Sequence, residues 1–183
     1  LYQLKELLNI YDSSSNWIEY TLAENDGYAE LGYLINMSEV EIIEPPYTIL
    51  DGYEHYFAYK LPYVLEISFL MNDIYIINNH FKCCGDGNID YDNEGDQEYS
   101  RLVASNLLKN YIDSQFADKN VIVLGDLNDE IQESSDNNVF QNFIYDSNYN
   151  FVDMNIAQGS YYNYSFPGWP SHIDHILITN KLF

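Results

Sequence analysis

Three stretches carry ligand-type or proton-transferring side chains at the end of an apolar run: Ile74–Lys82 (IYIINNHFK), Val121–Glu130 (VIVLGDLNDE) and Ser171–Thr179 (SHIDHILIT). Open sheets place their sites at strand ends, so His80, Asp126, Asn128 and Asp174 are the candidates for chemistry. Asp126 and Asn128 are two residues apart, and on extended backbone that spacing points both side chains the same way. Taken singly, each has an ordinary reading: an Asp-x-Asn turn, a hydrogen-bonded histidine, an aspartate capping a turn. Their joint occurrence in this order argues for one site.

Other polar groups fit less well. The loop CGDGNIDYDNEGDQE (84–98) opens with Asp86, Asn88, Asp90 and Asp92, which alternate oxygen ligands as a calcium loop does. Tyr91 stands where such a loop needs its glycine and Gln97 where it needs its closing glutamate, so a solvated acidic run competes with Ca²⁺. Alternation along an Ile173–Thr179 strand sets His172 and Asp174 on one face and His175 on the other, which argues against a three-ligand metal cluster there. His55 reads as a surface or turn residue. Trp169, in Pro-Gly-Trp-Pro, reads either as a cover over the mouth of the site or as a turn anchor.

The elements that must position these groups follow from periodicity. Leu1, Leu4, Leu7 and Leu8 repeat at helical spacing over 1–10, and Asp12 with three serines ends the pattern. Bursts of aromatic and β-branched residues predict strands at Trp17–Leu22, Tyr28–Asn36, Val40–Ile43, Tyr56–Lys60, Val64–Phe69 and Ile74–Asn78, separated by Asn-Asp-Gly, Pro-Pro, Asp-Gly and Met-Asn-Asp. Over Tyr99–Ser114 the period becomes helical. Val121–Leu124 is a continuous apolar run ending in Gly-Asp, which reads as a buried central strand. A short helix is expected at Phe140–Ile144 and a last strand at Ile173–Thr179.

Composition bounds the function. The chain of 183 residues carries 29 acidic and 7 basic side chains, a formal net charge of −22. Arg101 is the only arginine and the six lysines are scattered, so no basic stripe exists to hold a polyanion by neutralising its phosphates. Any phosphate chemistry must lean on metal ions. No apolar run approaches the roughly 18 residues of a membrane span. The two cysteines, Cys83 and Cys84, are adjacent and make neither a zinc cage nor a disulfide framework, and the redox compartment stays open.

The sequence resembles the endonuclease/exonuclease/phosphatase superfamily, which has the deoxyribonuclease-I-like fold. The matching pieces are Asn78-Asn79-His80-Phe81-Lys82 for the family's N-x-H-x-K strand end, Gly125-Asp126-Leu127-Asn128-Asp129 for its G-D-x-N-D signature, and Ile173-Asp174-His175-Ile176-Leu177 for its I-D-x-I-L strand. Tyr59-Lys60-Leu61-Pro62 looks like its Arg-x-Pro step, with Lys60 in place of the arginine. The resemblance implies an α/β (α+β) four-layer sandwich, two stacked mixed β-sheets flanked by helices, built as one domain over 1–183. It also implies a Mg²⁺- or Mn²⁺-dependent phosphodiesterase or nuclease, acting as a monomer on nucleic acid or a smaller phosphodiester. By similarity Asp126 holds and activates water and, with Asn128, holds the metal. Asn128 also orients the phosphate, while His80 donates to a non-bridging oxygen with Glu30 as its acidic partner. Asp174 matches a carboxylate that orients a later histidine, and Lys60, Lys82 and Asn79 are expected to contact substrate.

The family's metal-binding glutamate would precede Leu1 and its Ser-Asp-His segment would follow Phe183. The numbered residues are therefore expected to turn over little by themselves, and a non-catalytic binding module that keeps the fold is the alternative. A removed leader, with secretion or a periplasmic location, stays open.

Overall fold

The structure is a computed structural model and describes residues 1–23, 29–166 and 168–183. The turn expected at Asn25–Gly27 and the first residue of the strand expected from Tyr28 lie outside the described residues. Helix α1 (Tyr2–Tyr11) is followed by β1 (Trp17–Ala23) and β2 (Ala29–Asn36), which pair antiparallel as a two-stranded sheet. Strands β3 (Glu41–Thr48), β4 (Tyr63–Phe69), β5 (Asn72–His80), β6 (Asn120–Asp126), β7 (Tyr149–Phe151) and β8 (Asp174–Thr179) form a mixed sheet ordered β3-β4-β5-β6-β8-β7. The described residues also form helices α2 (Gln97–Gln115), α3 (Gln141–Ile144) and α4 (Met154–Ala157) and three short 3₁₀ turns.

Among the described residues the only parallel pair is β5 with β6, and α2 is the crossover between them. Asp96 caps α2 by accepting the Tyr99 N–H at 2.7 Å, replacing one hydrogen bond the first turn lacks. Ala104, Leu108 and Ile112 follow at i, i+4 and i+8 and bury against Val121 and Val123 of β6 and Ile77 of β5. Each fully buried aliphatic side chain contributes about 1.5–3 kcal/mol relative to exposure. This packing fixes the heights of β5 and β6, and so of the residues at their carboxyl ends.

The other face of the sheet carries a second core, in which Leu31, Tyr33 and Ile35 of β2 meet Tyr63, Leu65 and Ile67 of β4. The Tyr33 hydroxyl lies 2.6 Å from the Tyr63 carbonyl and 2.8 Å from that of Ile76, and accepts the Asn78 N–H at 3.1 Å. The hairpin is thereby tied to the strand that ends in His80. Where a second mixed sheet was expected, the described residues form this antiparallel pair, with α1 joined to β1 through Lys5 and Glu19 and through Asn9 and Trp17.

Two strand expectations change. Tyr56–Lys60 is not a strand: Glu54–Phe57 is a turn of 3₁₀ helix, and Ala58 and Tyr59 follow at φ 51° and 64°. Phe57, wholly buried and edge-on to Phe81 at 5.6 Å, anchors this turn, so its aromatics serve a local plug and not a pleated surface. Nor does Pro45-Pro46 end a strand. It lies inside β3, whose register shifts at Ile42/Glu44 and Glu44/Tyr47, and an edge strand tolerates the missing N–H donors.

Candidate active site

β5 and β6 pair with His80 beside Asp126, and β6 and β8 pair with Asp126 beside Asp174. Cross-strand partners share a face of the pleat, so His80, Asp126 and Asp174 form one row across three neighbouring strands. The structure thus brings together three groups that lie far apart in sequence. His80 Nε2 stands 3.9 Å from Asp126 Oδ2, an ion-pair separation too long for a hydrogen bond.

The turn after β6 is what aims Asp126. Gly125 has φ +129°, and a Cβ there would collide with the Asn79 carbonyl oxygen of β5. The glycine lets the two strand ends approach closely at the site. Asn128 adopts φ +54°, its N–H donates to Asp126 Oδ1 at 3.0 Å, and its amide nitrogen donates to the Phe81 carbonyl at 2.9 Å. One hydrogen bond orients the Asp126 carboxylate and the other locks Asn128 onto the end of β5.

Burial raises the Asp126 carboxyl above the usual carboxylate range, against the Asn128 N–H, which lowers it, and with Asp174 adding a like charge. The side chain is still about one-third exposed, at 34%. An aspartate held this way is a stronger base than an exposed one and presents an oriented oxygen to a proton or a cation.

Asp126, Asn128 and Asp174 open onto a cavity of about 600 Å³, walled also by Glu130, Phe166 and Trp169. The reading of Trp169 as a residue at the mouth of the site fits this placement. Beneath the cavity Arg101 is buried, with Nε on Asp129 Oδ2 at 2.8 Å and Nη1 on the carbonyls of Lys82 at 2.9 Å and Cys84 at 2.8 Å. Burial raises the Asp129 carboxyl even against this guanidinium. Glu133 is pushed up to about 7 by burial, then by the negative charges of Asp129 and Glu130.

Some expected contacts fall elsewhere. Asn79 is 1% exposed, on the core face of β5 beside Ile77, whose carbonyl it binds at 2.9 Å, so it cannot reach a substrate. Its neighbour His80 takes the open face because side chains alternate. Lys60 and Lys82 are not among the residues lining the cavity; Lys82 reaches the Gly95 carbonyl and Ser100 hydroxyl, both at 3.4 Å. The Glu30 side chain lies outside the described residues. In the acidic loop, Asp86 accepts the Asn88 N–H at 3.0 Å and Asp90 that of Asp92 at 3.1 Å. These carboxylates close local turns instead of converging, so the structure does not form the Ca²⁺ loop at Asp86, Asn88, Asp90 and Asp92.

Against the expectation from strand alternation, the histidines do form a cluster. His172 and His175 are both buried and both meet Asp153 Oδ2, at 2.9 and 2.6 Å. β8 begins only at Asp174, so strand alternation does not extend back to His172. This group, with Asp153 in place of Asp174, is the one set of three such side chains among the described residues that could hold a metal ion. As it stands it is hydrogen bonded. His172 Nδ1 accepts the Ser165 N–H at 3.3 Å, which leaves its Nε2–H to donate to Asp153, and His175 Nε2 donates to the Asp129 carbonyl at 2.9 Å. The trio therefore props the Asp126–Asp129 turn from behind.

Asp153 and Arg101 were missed as site residues. Asp153 follows Phe151-Val152 as Asp126 follows its own apolar run, but three residues of β7 are too few to read as a strand. Arg101 sits three residues before Ala104 and seven before Leu108, a charge on the buried stripe of α2.

No protein-family model and no curated protein sequence matches the chain. Solved structures do. Zebrafish (D. rerio) TDP2 in complex with a single-strand DNA product superposes with a TM-score of 0.62 at 16% identity, over 95% of this chain and 65% of that one. The human Nocturnin catalytic domain with bound sulfate gives 0.59 at 16%, over 96% and 64%. An endonuclease/exonuclease/phosphatase from Bacteroides vulgatus gives 0.59 at 9%, over 98% and 70%. The chain has the endonuclease/exonuclease/phosphatase fold. The resemblance read from its three strand-end motifs is thus matched by the superposition. The chain spans 64–65% of the length of the zebrafish TDP2 and human Nocturnin chains. Among its described residues, no helix is long and apolar enough to cross a membrane.

Proposed function

We propose that this chain is the core of a metal-dependent phosphoesterase that hydrolyses a phosphodiester by attack of water, within one deoxyribonuclease-I-like domain over 1–183. The observation that carries the reading is the row His80–Asp126–Asp174 across three strands, of which Asp126 and Asp174, together with Asn128, line a cavity. A phosphodiester is anionic and repels hydroxide, so the site must offset negative charge, place a water and take its proton. Asp126 is the base, its carboxyl raised by burial and its orientation set by Asn128. His80, once protonated, donates to a non-bridging oxygen. The remaining amide hydrogen of Asn128 serves a second oxygen, and Asp174 favours the protonated form of a neighbouring group. The carboxylate of Asp126 and the amide oxygen of Asn128 suit a hard cation such as Mg²⁺ or Mn²⁺, which when bound would neutralise phosphate oxygens.

The acidic cavity wall and the charge of −22 favour a small phosphodiester over a tightly held polyanion. Nucleic acid is the competing substrate, supported by the DNA product bound to zebrafish TDP2. One observation favours a second reading as a binding module: no third His, Cys or acidic group joins Asp126 in a metal-sized cluster among the described residues. Assays of the full-length protein with Mg²⁺ or Mn²⁺ against a chromogenic phosphodiester, plasmid DNA, RNA and sphingomyelin separate these readings. Metal-dependent turnover that Asp126→Ala abolishes supports the enzyme; turnover by the variant at the wild-type rate refutes the role of Asp126. No turnover on any of the four leaves the module.

A further inference from the structure

At the rim of the cavity the side chains of Cys83 and Cys84 are both exposed, with their sulfurs 2.7 Å apart. A disulfide needs about 2.05 Å, so closure requires a small shift of one thiol. Cys84 already has φ +73°, a backbone twist that few side-chain-bearing residues adopt. The chain holds no third cysteine to compete.

We infer that Cys83 and Cys84 are a reversible oxidation site, closing to a vicinal disulfide that is read by the Asp126–Asp129 turn. Neighbouring Cα atoms are about 3.8 Å apart, short of the usual disulfide span, so the ring is strained. Strained, exposed disulfides are the easily reduced ones, which makes the pair a switch and not a staple. The oxidant is a low-molecular-weight disulfide such as oxidised glutathione. The Cys83 thiolate attacks one of its sulfurs, the glutathione S–S bond breaks, and one glutathione leaves. The Cys84 thiolate then attacks Cys83 sulfur, forming the ring and releasing the second glutathione. Two electrons pass from the cysteines to glutathione, and the two cysteine protons end on the two glutathione thiols. The hydrogen bond with Cys83 raises the Cys84 thiol above its ordinary range, which favours Cys83 as first attacker.

The link to the site is Arg101. It binds the carbonyl of Cys84 with Nη1 and the carboxylate of Asp129 with Nε, and both Arg101 and Asp129 are buried. The eight-membered ring holds the Cys83–Cys84 peptide and Cys84 Cα, from which that carbonyl projects, so closure shifts the carbonyl against Arg101 and loosens the guanidinium that holds Asp129 next to Asn128. Redox state would then set how firmly the catalytic turn is held.

The test equilibrates the protein with mixtures of reduced and oxidised glutathione, quenches with acid, and reads intact mass and free thiols. We expect loss of two hydrogens with both thiols vanishing together, no covalent dimer, and reversal by dithiothreitol. Cys83→Ser and Cys84→Ser should each accumulate one glutathione adduct. Hydrogen exchange of amides in 127–130 should be several-fold faster in the oxidised wild type than in the reduced form. Persistent glutathione adducts on the wild type, or covalent dimers in place of the ring, would overturn the oxidation site. A ring that forms while exchange in 127–130 is unchanged would overturn its coupling to the turn.

Discussion

Asp126 faces Asp174 directly across the β6–β8 pair, so two carboxylates are neighbours on one face of the sheet. Neighbouring carboxylates resist double ionisation, which adds to the burial that already raises the Asp126 carboxyl. Asp174→Asn removes the like charge and should move the titration of Asp126 to lower pH, seen in the carboxyl ¹³C shift. No movement, or movement upward, would show that the two groups do not interact.

The same raised carboxyl makes Asp126 a cost to stability at neutral pH. A carboxyl whose folded pKa is raised contributes stability below its unfolded pKa and loses it as pH rises through the folded value. Asp126→Asn should therefore stabilise the fold at pH 7, by less than about 1 kcal/mol because the group is partly exposed, with the gain vanishing below the ordinary aspartate range. Thermal melts at pH 7 and pH 3.5 check this. A variant less stable at pH 7 contradicts it.

Asp153 should behave in the opposite sense. Burial pushes its carboxyl up, but hydrogen bonds from His175 and the Ile176 N–H outweigh burial and hold it below the usual range. A depressed carboxyl contributes stability above its unfolded pKa and loses it as pH falls through the folded value. Asp153→Ala strands two buried histidines and should cost about 3 kcal/mol or more in urea unfolding at pH 7, and less at pH 3. Equal losses at both pH values would place its role in packing alone.

Gly125→Ala asks for a side chain at φ +129° where a Cβ meets the Asn79 carbonyl. The two faults together should cost roughly 2–4 kcal/mol, within the range for strained backbone and overpacking. Denaturant midpoints measure it. A loss under about 0.5 kcal/mol would mean that β5 and β6 can separate freely at the site.

The strand ends that carry the row were legible because each pairs an apolar run with an abrupt polar ending, and α2 because its apolar stripe persists for several turns. What could not be read depends on contacts between distant segments. Tyr56–Lys60 has a strand's composition, yet Phe57 is drawn into the core by Phe81, far along the chain. Pro45-Pro46 looks like a break until β3 is known to be an edge. Asn79 and His80 differ only in parity, and only the pairing of β5 reveals which faces the core. Asp153 joins His172 and His175 through the pairing of β7 with β8, a three-residue match with no periodicity to announce it.

The central claim is that His80, Asp126 and Asp174 act as one unit on a phosphodiester. Its most direct measurement is kcat/KM with Mg²⁺ on a chromogenic phosphodiester for the three single alanine variants and the double variant of His80 and Asp126. Groups that act as a unit are strongly non-additive. The account predicts losses of about 10²–10⁴-fold for His80→Ala and Asp126→Ala, a smaller loss for Asp174→Ala, and a double variant no worse than the poorer single one. Losses that simply multiply, or single variants with wild-type kcat/KM, would contradict it.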